Sequence, residues 1–194
     1  VHILGYYVDY NDKNLRKTLE LLTANRIKRA IKIVDKLNKL GIKIDFNDIK
    51  QKSNDASIGR PHIAMALADR GYVTSIEDAF NKYLNKGKPA YVPKKKLTPS
   101  DAVKIITHSF GIPVLAHPGH IDNEDIIEDI IKFGIVGIEA YHPDHTYEQK
   151  ASYIRLATQK NLIITGGSDS HREYADMGID LPYEYVLRLK QFNK

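Results

Sequence analysis

The chain has 194 residues, 42% of them hydrophobic and 27% charged, a composition that fits an ordinary globular protein and excludes a disordered or fibrous one. It contains no cysteine, so disulfides and thiolate metal sites are excluded and any metal must be held by imidazole and oxygen. The formal charge of +5 comes mostly from lysines between residues 14 and 52 and between 82 and 96, an excess that either solvates helix faces or steers an anionic substrate.

In chain order, residues 1–8 read as a β-strand, and Val1-His2-Ile3-Leu4-Gly5 has the look of a strand already under way. With no Met and no lead-in, the expectation is a chain that starts inside a domain. Residues 14–40 then place Leu15, Leu19, Leu22, Ile27, Ile31, Val34, Leu37 and Leu40 mostly three or four apart, which predicts one or two amphipathic helices ended by Gly41. A further helix follows Gly59-Arg60-Pro61-His62, with Pro61 in its first turn, Ile63, Leu67 and Ala68 inward, and Gly71 as the stop. Ser75-Ile76-Glu77-Asp78 resembles a capping box that opens a helix through Leu84. These pieces make residues 11–96 a helical insertion.

From Thr98 onward helix and strand alternate. Thr98-Pro99-Ser100-Asp101 caps a helix to about Phe110, residues 112–116 form a strand, 123–133 a helix, 135–140 a strand, 146–160 a helix, 162–165 a strand and 182–192 a last helix. Such alternation with continuous apolar strands predicts an α/β fold with a parallel sheet covered by helices, open or closed into a barrel. The apolar runs are too short to span a bilayer, so no membrane partner is expected and the cytoplasm is the expected location.

The chemistry lies just past the strands. The first runs into His117-Pro118-Gly119-His120, the next into Tyr141-His142-Pro143-Asp144-His145, and the third into Gly166-Gly167-Ser168-Asp169-Ser170-His171. In barrels of parallel strands, side chains at the strand C-termini converge on one mouth. A single strand-end histidine is more often hydrogen-bonded structure than a ligand. Three such positions together, His117, Asp169 and His171, favour a metal site, since an Asp-x-His pair on an extended segment points both side chains the same way. His2 can contribute from the opening strand. Glu139, at a strand terminus, can orient a ligand. His142 is left without a firm role, and His108 reads as a helix residue packing on the core.

Four motifs, Leu115-Ala116-His117-Pro118-Gly119, Gly167-Ser168-Asp169-Ser170-His171, Val1-His2-Ile3-Leu4-Gly5-Tyr6 and Gly59-Arg60-Pro61-His62-Ile63-Ala64, occur in an order that resembles the PHP (polymerase and histidinol phosphatase) superfamily. The closer resemblance is to its branch of nucleoside 3′,5′-bisphosphate phosphatases and 5′ to 3′ exoribonucleases. It implies a partial, distorted (β/α)7-type barrel lacking its first strands, built from residues 1–10 and 97–194 and carrying the insertion. It also implies two or three divalent ions, manganese foremost with iron, zinc or magnesium as alternatives, held in part by His2, His117, Asp169 and His171. Arg60 corresponds to a phosphate-binding arginine and His120 to a histidine beside the reacting phosphate, a candidate proton donor. His62, Lys88 and His145 are further substrate-binding candidates. The implied substrate is a phosphorylated small molecule or a short RNA, with no obligate protein partner evident.

The family's opening His-x-His strand, the segment after it and a Glu before the position of His2 are not in this sequence. The expectation is therefore a fragment that binds metal weakly by itself. Rival readings are histidinol-phosphate phosphatase or a polymerase-type PHP domain, an amidohydrolase-type metal hydrolase, and a binding module that has lost its metal centre.

Overall fold

The computed structural model describes residues 1–53, 58–95, 97–123, 125–170 and 177–192. It divides into two compact units: a sheet unit of Val1–Leu15 and Leu97–Lys194, and a helical unit of Arg16–Lys96. The first boundary falls inside a helix.

Strand β1 (His2–Tyr6) opens the chain, and α1 follows as one unbroken helix, Lys13–Lys39. Burial along α1 is uneven, with Leu15 buried near its start. Ala30, Ile33, Val34 and Leu37 are buried in the core of the helical unit, whereas Leu19 and Ile31, expected to face inward, are about half exposed at 52% and 48%. The positive-φ Gly41 ends the run.

Three shorter helices complete this unit: α2 (Phe46–Lys52), α3 (Arg60–Asp69) and α4 (Ile76–Ala79). Asp45 caps α2 by accepting from the Asn47 and Asp48 backbone, and Asp48 returns a bond to Asp45. Ser75 caps α4 through Asp78 N. The expected helix through Leu84 widens at its end, since Phe80–Leu84 is a π-helical turn in which Asn85 N–H reaches Phe80 O. Ile49, Ile63, Leu67 and Leu84 are buried together at its centre.

In the sheet unit, Thr98 caps α5 (Pro99–His108) in a reciprocal box with Asp101. Strand β2 (Ile112–Ala116) follows, then α6 (Asp125–Lys132), β3 (Gly137–Tyr141), α7 (Tyr147–Gln159), β4 (Ile163–Gly166) and α8 (Tyr183–Phe192). These strands lie within a residue or two of their predicted bounds, the usual uncertainty of element ends. The sheet order is β1-β2-β3-β4. β2, β3 and β4 are parallel, and their inward side chains Leu115, Ile138 and Ile164 meet Ile127, Ile130 and Ala157 from the helices.

The parallel sheet expected from the alternation after Thr98 is found in β2, β3 and β4, while β1, whose direction the sequence left open, pairs antiparallel with β2 and sets His2 opposite Ala116. A strand at its beginning therefore shares an edge with strands at their ends. That is how His2 reaches the mouth where His117 emerges. His108 is corrected: it is exposed on α5, its Nδ1 bonded to Lys104 O at 2.6 Å, because Val103 and Ile106 take the buried face.

Candidate metal centre

The continuous apolar strands end abruptly in polar side chains. β2 is buried throughout, and the next residue, His117, takes φ 28° and ψ 63°, a left-handed conformation that β-carbon sterics disfavour. Asp169, past β4, also has positive φ, 44°. Backbone strain thus falls on two of the four expected metal ligands. Such strain persists only where surrounding structure holds it.

A buried carboxylate holds it at His117. Glu139 Oε2, on β3, accepts from the His117 backbone N–H at 2.8 Å. Burial pushes the Glu139 carboxyl above its ordinary value, while the His117 N–H and ring pull it back. Gly167 leaves room for this carboxylate, since a β-carbon there would come within 2.8 Å of Glu139 Oε1. The expected orienting role of Glu139 thus has a specific form: it acts on the ligand's backbone.

The imidazoles then gather. His2 Nδ1 and His117 Nε2 are 3.0 Å apart, a separation that needs a proton on one of the two nitrogens or a cation shared between them. The His117 and His120 ring centroids are 4.8 Å apart, and those of His117 and His142 are 5.6 Å apart. His120 Nε2 donates to Asp144 Oδ2 at 3.1 Å, a bond that fixes the ring's direction. His120, His142 and Asp144 each offer a ligand atom, all within 4.8 Å of one another.

His142 is buried, with 2% of its side chain exposed. The Asp144 N–H donates to its Nδ1 at 3.2 Å, so the neutral ring carries its proton on Nε2. That nitrogen has no hydrogen-bond partner and faces Asp169 Oδ2 at 3.9 Å. Burial holds the ring below its usual imidazole value, with Asp144 opposing. His142 therefore stands as a neutral group aimed at the Asp169 carboxylate. The sequence leaves it between a contact to substrate or to a supporting carboxylate and a plain rim residue; its two-residue spacing from Asp144 is the available signal.

The donor set suits a divalent ion. It is all nitrogen and oxygen, and buried His117 Nδ1 lacks a protein partner, as expected of a nitrogen meant for something other than protein.

His145 does something different. Its Nδ1–H donates to Ala140 O at 3.0 Å, and its Nε2 accepts from the Gly119 N–H at 3.2 Å. Both nitrogens latch the loop after β2 onto the end of β3. Burial holds this ring below its usual value too.

The remaining expected residues lie in the helical unit. Arg60 starts α3, donates from a terminal guanidinium nitrogen to Leu84 O at 3.0 Å and lies over the Phe80 ring. His62 Nδ1 accepts from the Gly59 N–H at 3.0 Å, capping the same helix with imidazole. Lys88 is exposed. His171 lies outside the described residues.

Parallel strands that deliver imidazole and carboxylate to one edge define a metal-dependent hydrolase of the phosphoesterase and amidohydrolase kind. Known proteins narrow the class. The chain is 29% identical over 181 residues to a phosphoribosyl 1,2-cyclic phosphate 1,2-diphosphodiesterase of Eggerthella lenta, covering 90% of this chain and 67% of that protein. It is 32% identical over 177 residues to a 3′,5′-nucleoside bisphosphate phosphatase of Chromobacterium violaceum, covering 88% and 62%. With the 5′-3′ exoribonuclease Rnm of Escherichia coli it shares 29% over 180 residues, covering 89% and 60%.

A structure of an amidohydrolase from Chromobacterium violaceum, with sulfate bound and no metal, superposes with a TM-score of 0.78 at 30% identity, covering 99% of this chain and 72% of that one. No family model matches the sequence. The chain spans about 60 to 67% of the curated relatives it matches. It belongs to the PHP superfamily, in the branch of nucleoside bisphosphate phosphatases and 5′-3′ exoribonucleases.

Proposed function

We propose that this chain is part of a metal-dependent phosphoesterase that hydrolyses a phosphate ester of a nucleotide, either a 3′,5′-bisphosphonucleotide or the 5′ end of a short RNA. The observation that carries the reading is the convergence of His2, His117 and the His120–Asp144 pair at one sheet edge, with buried His117 Nδ1 lacking a protein partner. Named relatives that act on phosphate esters support it.

On this reading residues 1–10 and 97–194 form the barrel portion and 11–96 the insertion. His2, His117, Asp169 and His171 contribute to holding two or three divalent ions, manganese foremost, in a cytoplasmic protein. When bound, such ions supply Lewis acidity for the phosphoryl oxygens and for the attacking water. The protein's own part is orientation and proton transfer. Glu139 fixes the His117 backbone, and His142 directs its Nε2–H at Asp169. His120, its ring set by Asp144, hands a proton to the departing oxygen. Arg60 clamps a phosphate through the planar donor fork that lysine lacks.

The test is a panel on the full-length protein with manganese: a nucleoside 3′,5′-bisphosphate, a 5′-phosphorylated short RNA, a cyclic phosphate, histidinol phosphate and a simple amide. Turnover of either of the first two above the rest is expected, and at least about tenfold lower turnover in His120→Ala and Arg60→Ala. Preference for the amide or for histidinol phosphate would overturn the reading.

A further inference from the structure

Tyrosines gather beside the sheet edge that carries the imidazoles. Tyr141 is the last residue of β3, directly before His142, and it packs so closely on the end of β4 that a β-carbon on Gly166 would lie 2.6 Å from its own. Its ring centroid is 6.0 Å from that of Tyr185, in the first turn of α8. Lys150, in the first turn of α7, sets its ammonium 5.3 Å from the Tyr141 ring centre and 5.9 Å from the Tyr147 ring centre. Tyr185, Tyr141, Lys150 and Tyr147 form one unbroken row.

The row is anchored at one end and open at the other. Tyr141 and Tyr185 are partly buried against the core of the sheet unit, whereas Tyr147 is 76% exposed. A lone exposed tyrosine needs no explanation. A row that runs outward from the mouth of the sheet and shares one lysine has the makeup of a single-strand nucleic-acid site, with aromatic faces for bases and a cation for the backbone.

The nearby acids decide where that backbone runs. The Glu148 carboxylate turns to the start of its own helix, bonded to its own N–H and to the Thr146 hydroxyl. Burial first, and then the neighbouring Tyr185 and Glu184, push the Tyr141 hydroxyl above its ordinary pKa, which places the Glu184 charge on the Tyr185 side of the row. A phosphate is therefore favoured at Lys150 and disfavoured beside Glu184, while the net charge of +5 attracts a polyanion overall.

We propose that Tyr141, Tyr147 and Lys150, with Tyr185 as support, form a stacking platform for the single-stranded RNA that trails from the reacting 5′ phosphate, the rings taking bases and Lys150 the phosphate between them. It deepens the phosphoesterase reading by choosing an RNA chain over a free mononucleotide, and rests on that reading for the position of the reacting phosphate.

The experiment is calorimetric titration of the manganese-loaded full-length protein with 5′-phosphorylated hexaadenylate in phosphorothioate linkage, which resists hydrolysis and keeps the backbone charge. Adenosine 5′-monophosphate and an abasic hexamer of the same linkage are the controls. The hexaadenylate should bind at least about tenfold more tightly than either control. Tyr147→Ala and Lys150→Gln should each weaken it about tenfold at unchanged melting temperature, and weaken the mononucleotide less, whereas Tyr147→Phe, which keeps the ring, should stay within about twofold of wild type. The proposal is overturned by an abasic hexamer that binds as tightly as hexaadenylate, by Tyr147→Ala and Lys150→Gln both binding hexaadenylate like wild type, or by Tyr147→Phe losing as much as Tyr147→Ala. Turnover is read separately on unmodified substrates. A protein that shows the platform's binding pattern but hydrolyses no phosphate ester would sink the phosphoesterase reading alone.

Discussion

The two units collect functional groups by opposite means. In the sheet unit the backbone does the gathering: β2, β3 and β4 run parallel, β1 runs back against β2, and each delivers a polar side chain to the same edge. Those groups are carboxylates and imidazoles, and imidazole is the side chain whose ordinary pKa lies near neutral pH. In the helical unit the faces of α1 and α3 do the gathering, and the groups are guanidiniums that stay charged throughout. One region carries groups that can exchange protons. The other carries groups of constant charge.

That contrast can be broken by substitution. The largest effect is expected from His117→Ala, which should cost more than about a hundredfold in metal affinity, read by manganese titration of the full-length protein. Unchanged affinity would remove His117 from the metal ligands. Glu139→Gln keeps an acceptor for the His117 N–H but removes the buried charge. Metal affinity should fall about ten- to a hundredfold, because the ligand's supporting group is altered while the fold is kept.

Gly119→Ala comes next. Its β-carbon would lie 2.7 Å from His145 Cδ2, so the latch must open, at a cost of about 1 to 3 kcal/mol in chemical denaturation.

The pH dependence of stability separates the units further. Burial lowers the folded-state value of His145, and of His142 as well. Below about pH 6.5 the unfolded chain takes up these protons before the folded one does. The stabilisation is therefore complete above that pH and is lost as pH falls toward the folded values. The melting temperature should drop between about pH 7.5 and about pH 5.5, and drop less in His145→Gln. An equally steep fall in His145→Gln would remove the latch from the account. The smallest effect is expected from Thr98→Ala, about 1 kcal/mol through loss of the α5 cap, with neither site disturbed.

Much of this was legible in the sequence because local chemistry decides it. Thr98 and Ser75 announce helix starts through side chains that bond three residues on, and both cap as expected. Histidines after apolar runs announce an edge. What stayed hidden depends on partners distant in sequence. Nothing in residues 1–8 says whether β1 runs with or against β2, since both directions bury the same alternation. Leu19 and Ile31 keep helical spacing but lie exposed, because spacing does not say where a core ends.

The short helix α2 escaped notice although Asp45 and Asp48 carry its cap. At seven residues its apolar period is too brief to stand out. His145 follows a strand end as a substrate contact would, yet both its nitrogens serve the protein. Only the Gly119 N–H, 26 residues away, reveals that.

The antiparallel pairing of β1 has one more consequence. His2 and His117 stand on neighbouring strands, 115 residues apart in sequence, with ring nitrogens 3.0 Å from each other. An ion taken between them would act as a removable crosslink that closes a loop containing the whole helical unit. Because side chains alternate in direction along a strand, a slip of β1 by a single residue would turn His2 away and undo the link. Free metal concentration would then set how firmly the first strand is held, so chelation should loosen the edge of the sheet before it touches the helices.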